Sequence, residues 1–429
     1  MLSFDAQVYQ NEYLPAGDGE VNAIVTITGS AGGAARPGRG GRQPTAAAII
    51  IIDCSTSMNY PQTKIQAAKR ATAAAIDALR PGTAFAVIAG THLAEVVYPK
   101  TARLVAADAT GKAVAKRAVA RLQPGGGTAM STWLTLANQL FADHPDALRH
   151  AILLTDGNNE SETPAKLAAT LSACLGAFTC DCRGVGTDWS VEELRRIATT
   201  LLGTVDIVAR PSGLAEDFVR MMSHAMDKAI GDVALRVWMP VGAEVRFVKQ
   251  VAPEMRDLTG TALPAGVQQT RDYPTGSWGA ESRDYHVCVT VRPGDLGDEM
   301  LAARVSLVAN GEVLAKGLVR ALWTDDRSRS ARIDRQVAHY TGQAEMARAV
   351  QEGLRARRDG DVVTATARLG RALALATASG HADTAKLLQQ VVEVDDAVSG
   401  TVRLKPVVAD ADEMALDTRS TKTIRSRPA

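Results

Sequence analysis

The chain has 429 residues, 48 of them basic and 47 acidic, giving a net charge of +1, and 46% of it is hydrophobic. That length sets about three domains with well-packed cores, and the balanced charge leaves no electrostatic footprint for nucleic acid or an anionic membrane. Five cysteines, an odd number, suit a reducing compartment better than a disulfide framework. Met1-Leu2-Ser3-Phe4-Asp5 lacks a basic region followed by an apolar stretch, so no secretory signal is expected. The longest apolar run, Ala46 to Ile52, is far short of the roughly 18 residues that cross a bilayer, and the expected location is the cytoplasm.

In chain order, Phe4–Tyr9 and Val21–Ile27 alternate polar and apolar residues and predict two half-buried antiparallel strands. Residues 29–44, rich in Gly, Arg and Pro, read as a flexible linker. From there the periodicity switches repeatedly. Strands are predicted at Ala46–Ile52, Ala84–Ala89, Ala151–Leu154, Phe178–Val185 and Val205–Ala209. Helices are predicted at about Thr63–Leu79, Gly111–Leu122, Ser131–Phe141, Pro164–Leu175, from Ser190 onward, and at Leu214–Ala229. Ser190 with Glu193 forms a capping box. Such alternation specifies a doubly wound α/β domain over residues 45–230.

Between Asp232 and Trp323 the period returns to two, predicting an antiparallel β-sandwich (231–325) of about six strands. If it recruits the amino-terminal strands of residues 1–44, the α/β unit is inserted into the sandwich. Residues 326–398 carry three amphipathic segments broken at Asp359-Gly360-Asp361 and Ser379-Gly380-His381. One helix–turn–helix unit there resembles a tetratricopeptide repeat without a second copy, so a helical hairpin packed on the sandwich is expected. Residues 399–429 mix Pro, Asp, Arg and Thr without periodicity and are expected to be disordered.

The chemistry concentrates at three separated loops. Asp53-Cys54-Ser55-Thr56-Ser57 closes the first α/β strand, Gly126-Gly127-Thr128 precedes a helix, and Leu154-Thr155-Asp156-Gly157 closes a later strand. In a parallel sheet such loops converge at the carboxyl edge, where ligands bind. Hard oxygen donors with few carboxylates are what Mg²⁺ or Mn²⁺ accepts.

Asp53, Ser55, Ser57, Thr128 and Asp156, in that order and context, match the metal-ion-dependent adhesion site of von Willebrand factor type A domains, a resemblance covering about residues 45–230. It implies that Ser55, Ser57 and Thr128 place hydroxyl oxygens on the ion while Asp53 and Asp156 act partly through water. The ion then keeps positive charge that favours a partner's Asp or Glu as a further ligand. Cys54 and Thr56 are expected in the core. Met58 and Asn59 either line the ligand rim or fill core and turn positions. The loop Arg183-Gly184-Val185-Gly186-Thr187-Asp188-Trp189 is similar to that of bacterial intracellular members of the family, with Trp189 either bordering the ligand face or packing the loop on its helix.

A threonine cluster, Leu416 to Arg425, resembles the tails of actinobacterial type A proteins associated with Ser/Thr kinases and phosphatases. By that resemblance Thr418, Thr421 and Thr423 are candidate phosphorylation sites, and Ile424, the third residue after Thr421, is a candidate specificity residue for a forkhead-associated partner. A solubilising polar tail is the alternative. Phosphorylation would add about −1.5 to −2 charges and three strong acceptors. Cys174, Cys180 and Cys182 lack a fourth zinc ligand at convincing spacing and read as buried structural thiols. Gly125-Gly126-Gly127 is not followed by the Lys-Ser/Thr of a phosphate loop, and His92, His144 and His150 have no nucleophile elbow beside them.

The reading that results is a non-enzymatic, metal-dependent protein-binding module in cytoplasmic signalling or complex assembly. Its alternatives are an adaptor subunit for an ATPase complex and a metal-dependent hydrolase, the latter lacking a suitably spaced base.

Overall fold

A computed structural model describes residues 2–31, 45–208 and 211–425. Most of the segment expected to be a linker (residues 32–44) and the end of the predicted strand at Ala209 lie outside the described residues. Two compact units emerge: one joins the amino-terminal strands to everything from Asp232 onward, and the other runs from residue 45 to Gly231.

Strands β1 (Leu2–Gln10), β2 (Tyr13–Pro15) and β3 (Glu20–Ala31) belong to the first unit. The α/β unit then follows as β4 (Ala46–Asp53), α1 (Thr63–Ala78), β5 (Ala84–Gly90), β6 (Ala94–Tyr98), β7 (Val105–Ala106), α2 (Ala109–Ala120), α3 (Met130–Ala142), β8 (Leu148–Thr155), α4 (Pro164–Cys174), β9 (Thr179–Val185), α5 (Val191–Thr200), β10 (Val205–Val208) and α6 (Leu214–Met226). Its sheet has the order β10-β9-β8-β4-β5-β6, with β7 also on β5. The strands from β10 to β5 are parallel, while β6 and β7 run antiparallel on β5.

Sequence composition explains this layering. β4 is a continuous apolar run because helices cover both faces of a parallel sheet, and Ala47 through Ile52 are all buried. On one face Ile65, Ala68, Ile76 and Leu79 pack with Phe218 and Met222 of α6 against Ile50 and Ile52. The pairing of Ile52 with Leu154 sets the ends of β4 and β8 level, so Asp53 and Thr155 leave the sheet side by side. Strand β4 is flanked by β5 and β8, and its carboxyl end is the topological switch point where a doubly wound sheet opens a crevice.

The first unit resumes with β11 (Ile230–Trp238), β12 (Glu244–Ala252), β13 (Arg256–Asp257), β14 (Leu263–Ala265), β15 (Val267–Trp278), β16 (Ser282–Thr290), β17 (Glu299–Ala309) and β18 (Glu312–Thr324). One sheet is β1-β3-β16-β12-β13 and the other β14-β15-β11-β17-β18-β2. Strand β3 pairs along its length with β16, and β2 lies parallel to β18, so the amino-terminal strands complete both sheets and the α/β unit is an insertion between β3 and β11. Helices α7 (Arg327–Ser330), α8 (Arg335–Arg358), α9 (Val362–Ser379) and α10 (Ala382–Val391) follow. Val337 and Tyr340 of α8 pack on Ile24, Val251 and Ala252 of the sandwich.

The expectation of a disordered stretch from residue 399 is overturned for residues 399–425, and residues 426–429 lie outside the described residues. Strand β19 (Val392–Asp396) forms a hairpin with β20 (Thr401–Leu404), and α11 (Asp410–Arg419) buries Leu416 completely. Val392, Val402 and Leu416 enter one core with Val350 and Leu354 of α8 and Leu369 and Leu373 of α9. Each of these elements is too short to show a period, and its few apolar residues gain burial only against the α8–α9 hairpin. That hairpin, unable to cover its own face, gets its missing partner from this segment.

Beyond α11 the chain crosses the sandwich as a strap. Glu254 and Lys422 form an antiparallel bridge, and Met255 donates its N–H to the Thr421 carbonyl at 2.8 Å. Gln343 holds Ile424 through both its N–H and its carbonyl, and Arg425 pairs with the buried Asp284 at 2.8 Å. No helix among the described residues is long and apolar enough to cross a membrane.

Candidate metal centre

Asp53 caps the end of β4, fully buried. One carboxylate oxygen accepts the Ser55 N–H at 2.7 Å, and the other accepts the Thr155 hydroxyl at 2.5 Å. Burial drives its pKa up to about 6, against the hydrogen bonds from Ser55 and Thr155 that favour the charged form. The loop that follows makes a single turn of 3₁₀ helix, Thr56–Asn59, which brings Ser57 Oγ to 2.9 Å from Ser55 Oγ. Ser57 in turn donates to Asp156 Oδ1 at 2.7 Å.

Thr128 reaches the same place. A Cβ built on Gly157 would lie 3.1 Å from Ser57 Oγ and 3.7 Å from Thr128 Oγ1, so both hydroxyls line the small space over Gly157. Backbone hydrogen bonds fix the three loops to one another. Gly125 N–H donates to the Cys54 carbonyl at 2.7 Å, Thr56 N–H to the Gly126 carbonyl at 3.0 Å, and Ser161 N–H to the Thr128 carbonyl at 2.9 Å. Gly126 has φ +80°, a left-handed conformation that side chains resist, and that turn aims its carbonyl at Thr56.

The donor set fits a divalent cation. Neighbouring oxygens in an octahedron of radius 2.0–2.1 Å lie about 2.9 Å apart. The separations of 2.9 Å between the two serine hydroxyls and 2.7 Å from Ser57 to Asp156 are of that size. All five side chains are oxygen donors, two carboxylates and three hydroxyls, a set that suits a hard divalent cation rather than a soft metal.

Several neighbours were not foreseen from the sequence. Lys64, in the first turn of α1, is buried and places its ammonium 2.8 Å from Asp156 Oδ2 and 3.1 Å from Asp188 Oδ2. Burial works against its charge, but the Asp156 and Asp188 carboxylates prevail and raise its pKa above the ordinary lysine value. Thr155, read only as part of a turn signature, is the residue that orients Asp53. On the far side of the Thr128 loop, Glu162 and Asn159 hold the start of α3 by accepting the Ser131 and Met130 N–H groups at 3.0 and 2.9 Å. A lysine eleven residues after the aspartate has no local signal, because its partners come from strand ends that only the sheet assembles.

Some of the surrounding expectations need correction, while the buried thiols and the core reading of Met58 hold. Thr56 is exposed, not in the core: its hydroxyl donates to the Gly126 carbonyl at 2.9 Å and helps lash two loops together. Met58 is wholly buried among Ile65, Leu154 and Leu214, so it is core, whereas Asn59 is half-buried beside the exposed Tyr60. Trp189 does not border the open face. It is 4% exposed, stacked where Gly184 leaves room (a Cβ there would sit 1.8 Å from the indole), with its N–H on the Gly186 carbonyl. Cys174, Cys180 and Cys182 are buried free thiols, and among the described residues no group of three His, Cys, Asp or Glu could hold a metal.

Of the three tail threonines, Thr418 is fully buried on α11, and the hydroxyl of Thr423 is buried too. Thr421 is half-buried, with its hydroxyl donating to Glu254 Oε1 at 3.3 Å. None of the three is exposed, so the disordered tail that would present them is not what the chain forms here.

A profile described as von Willebrand factor type A domain matches residues 46–207, and one described as von Willebrand factor type A C-terminal domain matches residues 374–420. The structure is similar to a von Willebrand factor type A protein from Catenulispora acidiphila at 53% identity, with a TM-score of 0.94, over 99% of this chain and 97% of that one. The ArnB paralog VWA2 from Sulfolobus acidocaldarius aligns over 98% of both chains at 14% identity and TM-score 0.59. The human COPII-coat protein Sec24c aligns over 89% of this chain and 58% of that one at 10% identity and TM-score 0.54. The last two likenesses are of fold alone. No curated protein matches the chain.

Proposed function

The chain belongs to the von Willebrand factor type A family, whose domains generally mediate metal-dependent protein interactions, and from that premise we propose that it is a non-enzymatic module binding an acidic protein partner through Mg²⁺ or Mn²⁺. The observation that carries this reading is that Ser55, Ser57 and Asp156 oxygens lie at the separations an octahedral ion spans, with the Ser57 and Thr128 hydroxyls together over Gly157.

In this reading Ser55, Ser57 and Thr128 supply uncharged oxygens at a metal-ion-dependent adhesion site. Asp156 contributes a carboxylate, and Asp53, locked by Thr155 and the Ser55 N–H, holds the serine loop in register. A bound divalent ion supplies positive charge that takes a partner's Asp or Glu as its remaining ligand. The three hydroxyls leave that charge largely uncancelled, and the loops, pinned to one another before any partner arrives, lose little freedom on binding.

We place the module in cytoplasmic signalling or complex assembly, with an adaptor role on an ATPase complex as the alternative. A phosphothreonine tail read by a forkhead-associated partner now requires the strap to lift. Thr421 is the candidate whose modification opposes docking, because a phosphate there faces Glu254.

The test is affinity capture from the native cell with the full-length chain as bait. A partner retained in Mg²⁺ is expected to be lost in EDTA and with Asp156→Asn or Ser57→Ala. A partner retained through all three treatments would contradict the metal-bridged mechanism, and metal-dependent turnover of generic ester or phosphoester substrates would favour the hydrolase instead.

A further inference from the structure

A second cation is already built into this centre. Lys64 extends from the first turn of α1 with its side chain 8% exposed, and its ammonium bridges Asp156, whose side chain is 0% exposed, and Asp188, whose side chain is 69% exposed. Asp156 thus divides its carboxylate: one oxygen takes the Ser57 hydroxyl on the side of the hydroxyl cluster, and the other faces Lys64. Asp188 belongs to the loop between β9 and α5. A buried carboxylate without a counter-charge is costly, and Lys64 supplies that counter-charge to Asp156.

We propose that Lys64 is the intrinsic counter-cation of the metal centre: it neutralises Asp156 in the metal-free protein, competes with the divalent ion for that carboxylate, and so sets the affinity. This rests on the metal reading above. Asp188 is the second half of the device. By sharing Lys64 it weakens the lysine's hold on Asp156, so the exposed Asp188 of the β9–α5 loop tunes a site it does not line. Lys64 also adds one positive charge beside the ion, which strengthens the attraction of this edge for an acidic partner.

The two arms have opposite signs, which a merely structural lysine would not give. Removing the ammonium in Lys64→Met is expected to tighten Mn²⁺ binding at least about tenfold, because a like charge is gone and Asp156 is freed. Asp188→Asn is expected to loosen it about threefold, because Lys64 then turns wholly to Asp156. Lys64→Arg keeps the charge and is expected to stay within about threefold of the wild type.

The experiment titrates Mn²⁺ into the full-length proteins, with free ion read by electron paramagnetic resonance, alongside melting curves in EDTA and in saturating Mn²⁺. Lys64→Met is expected to melt lower in EDTA than the wild type and to gain more from Mn²⁺. Asp188 is exposed, so its variant reports even if Lys64→Met folds poorly. Wild-type binding with Lys64→Met unchanged or weaker, or with Asp188→Asn tighter, overturns the role of Lys64 while leaving the metal site standing. Absence of binding to the wild type overturns both.

Discussion

Two hydroxyl-rich stretches of this chain meet opposite fates. Around Ser55, Ser57 and Thr128 the two serine hydroxyls meet each other and the Asp156 carboxylate, and the Thr128 hydroxyl shares with Ser57 the small space over Gly157. Around Thr418 and Thr423 the hydroxyls are buried with no hydrogen-bond partner among the described residues. Both stretches read from the sequence as oxygen-bearing segments with a task. What separates them is the scaffold: strand ends of a parallel sheet converge and leave a crevice, whereas a short helix at a core boundary must bury one face. A hydroxyl is a ligand where its neighbours are also acceptors, and packing material where they are methyl groups.

The largest expected effect tests the packing side of this contrast. Leu416→Ala removes a fully buried side chain from the core shared by α8, α9, α11 and the β19–β20 hairpin. It should destabilise the protein by about 3 kcal/mol in urea unfolding, with Mn²⁺ affinity unchanged. A parallel loss of metal binding would mean that the two stretches are not independent.

Acidity sharpens the contrast next. His286, buried in β16 with its Nε2 2.9 Å from Asn22 Oδ1, has its pKa lowered to about 4 by burial and then by Lys249. The unfolded chain takes up the proton first, so this contribution is intact above about pH 6.5 and lost as pH falls toward 4, by at most about 3 kcal/mol. Asp53 has the opposite sign. Its raised pKa means that the unfolded chain ionises first, so in EDTA its contribution is present below about pH 4 and lost as pH rises through 6. Stability measured from pH 4 to 7 in EDTA should lose its rising component in His286→Gln and its falling component in Asp53→Asn. Unchanged profiles would remove these two groups from the account.

The smallest effects make the cleanest pair, one substitution placed in both settings. Thr128→Val should cost at least about tenfold in Mn²⁺ affinity while leaving the melting temperature in EDTA near wild type. Thr418→Val should change stability by less than about 1 kcal/mol and leave metal binding alone, since no protein acceptor loses a donor. Equal effects of the two would erase the distinction.

Much of this was legible in the sequence, for reasons that differ by region. The α/β unit announced itself because β4 is apolar up to Asp53 and strand and helix periods alternate along the whole unit. The five metal-centre residues were legible as a set because each sits at a strand end or just ahead of a helix, where chain order and spatial order agree. Lys64 and Asp188 were not, because their ion pairs depend on which segments the sheet brings together, and charge type alone carries no such information. The carboxyl-terminal hairpin, helix and strap were missed because Val402, Leu404 and Leu416 are too few and too spread for periodicity. Their burial is contributed by α8 and α9. Trp189 was open to two readings until Gly184 showed where the indole goes.

The most direct test of the account is an anomalous-scattering map from crystals of the full-length protein grown in Mn²⁺. The account places one strong peak over Gly157, about 2.1 Å from the hydroxyls of Ser55, Ser57 and Thr128, and a map of the Thr128→Val protein without it. A wild-type map with its manganese elsewhere, or with no peak among those three side chains, would contradict it.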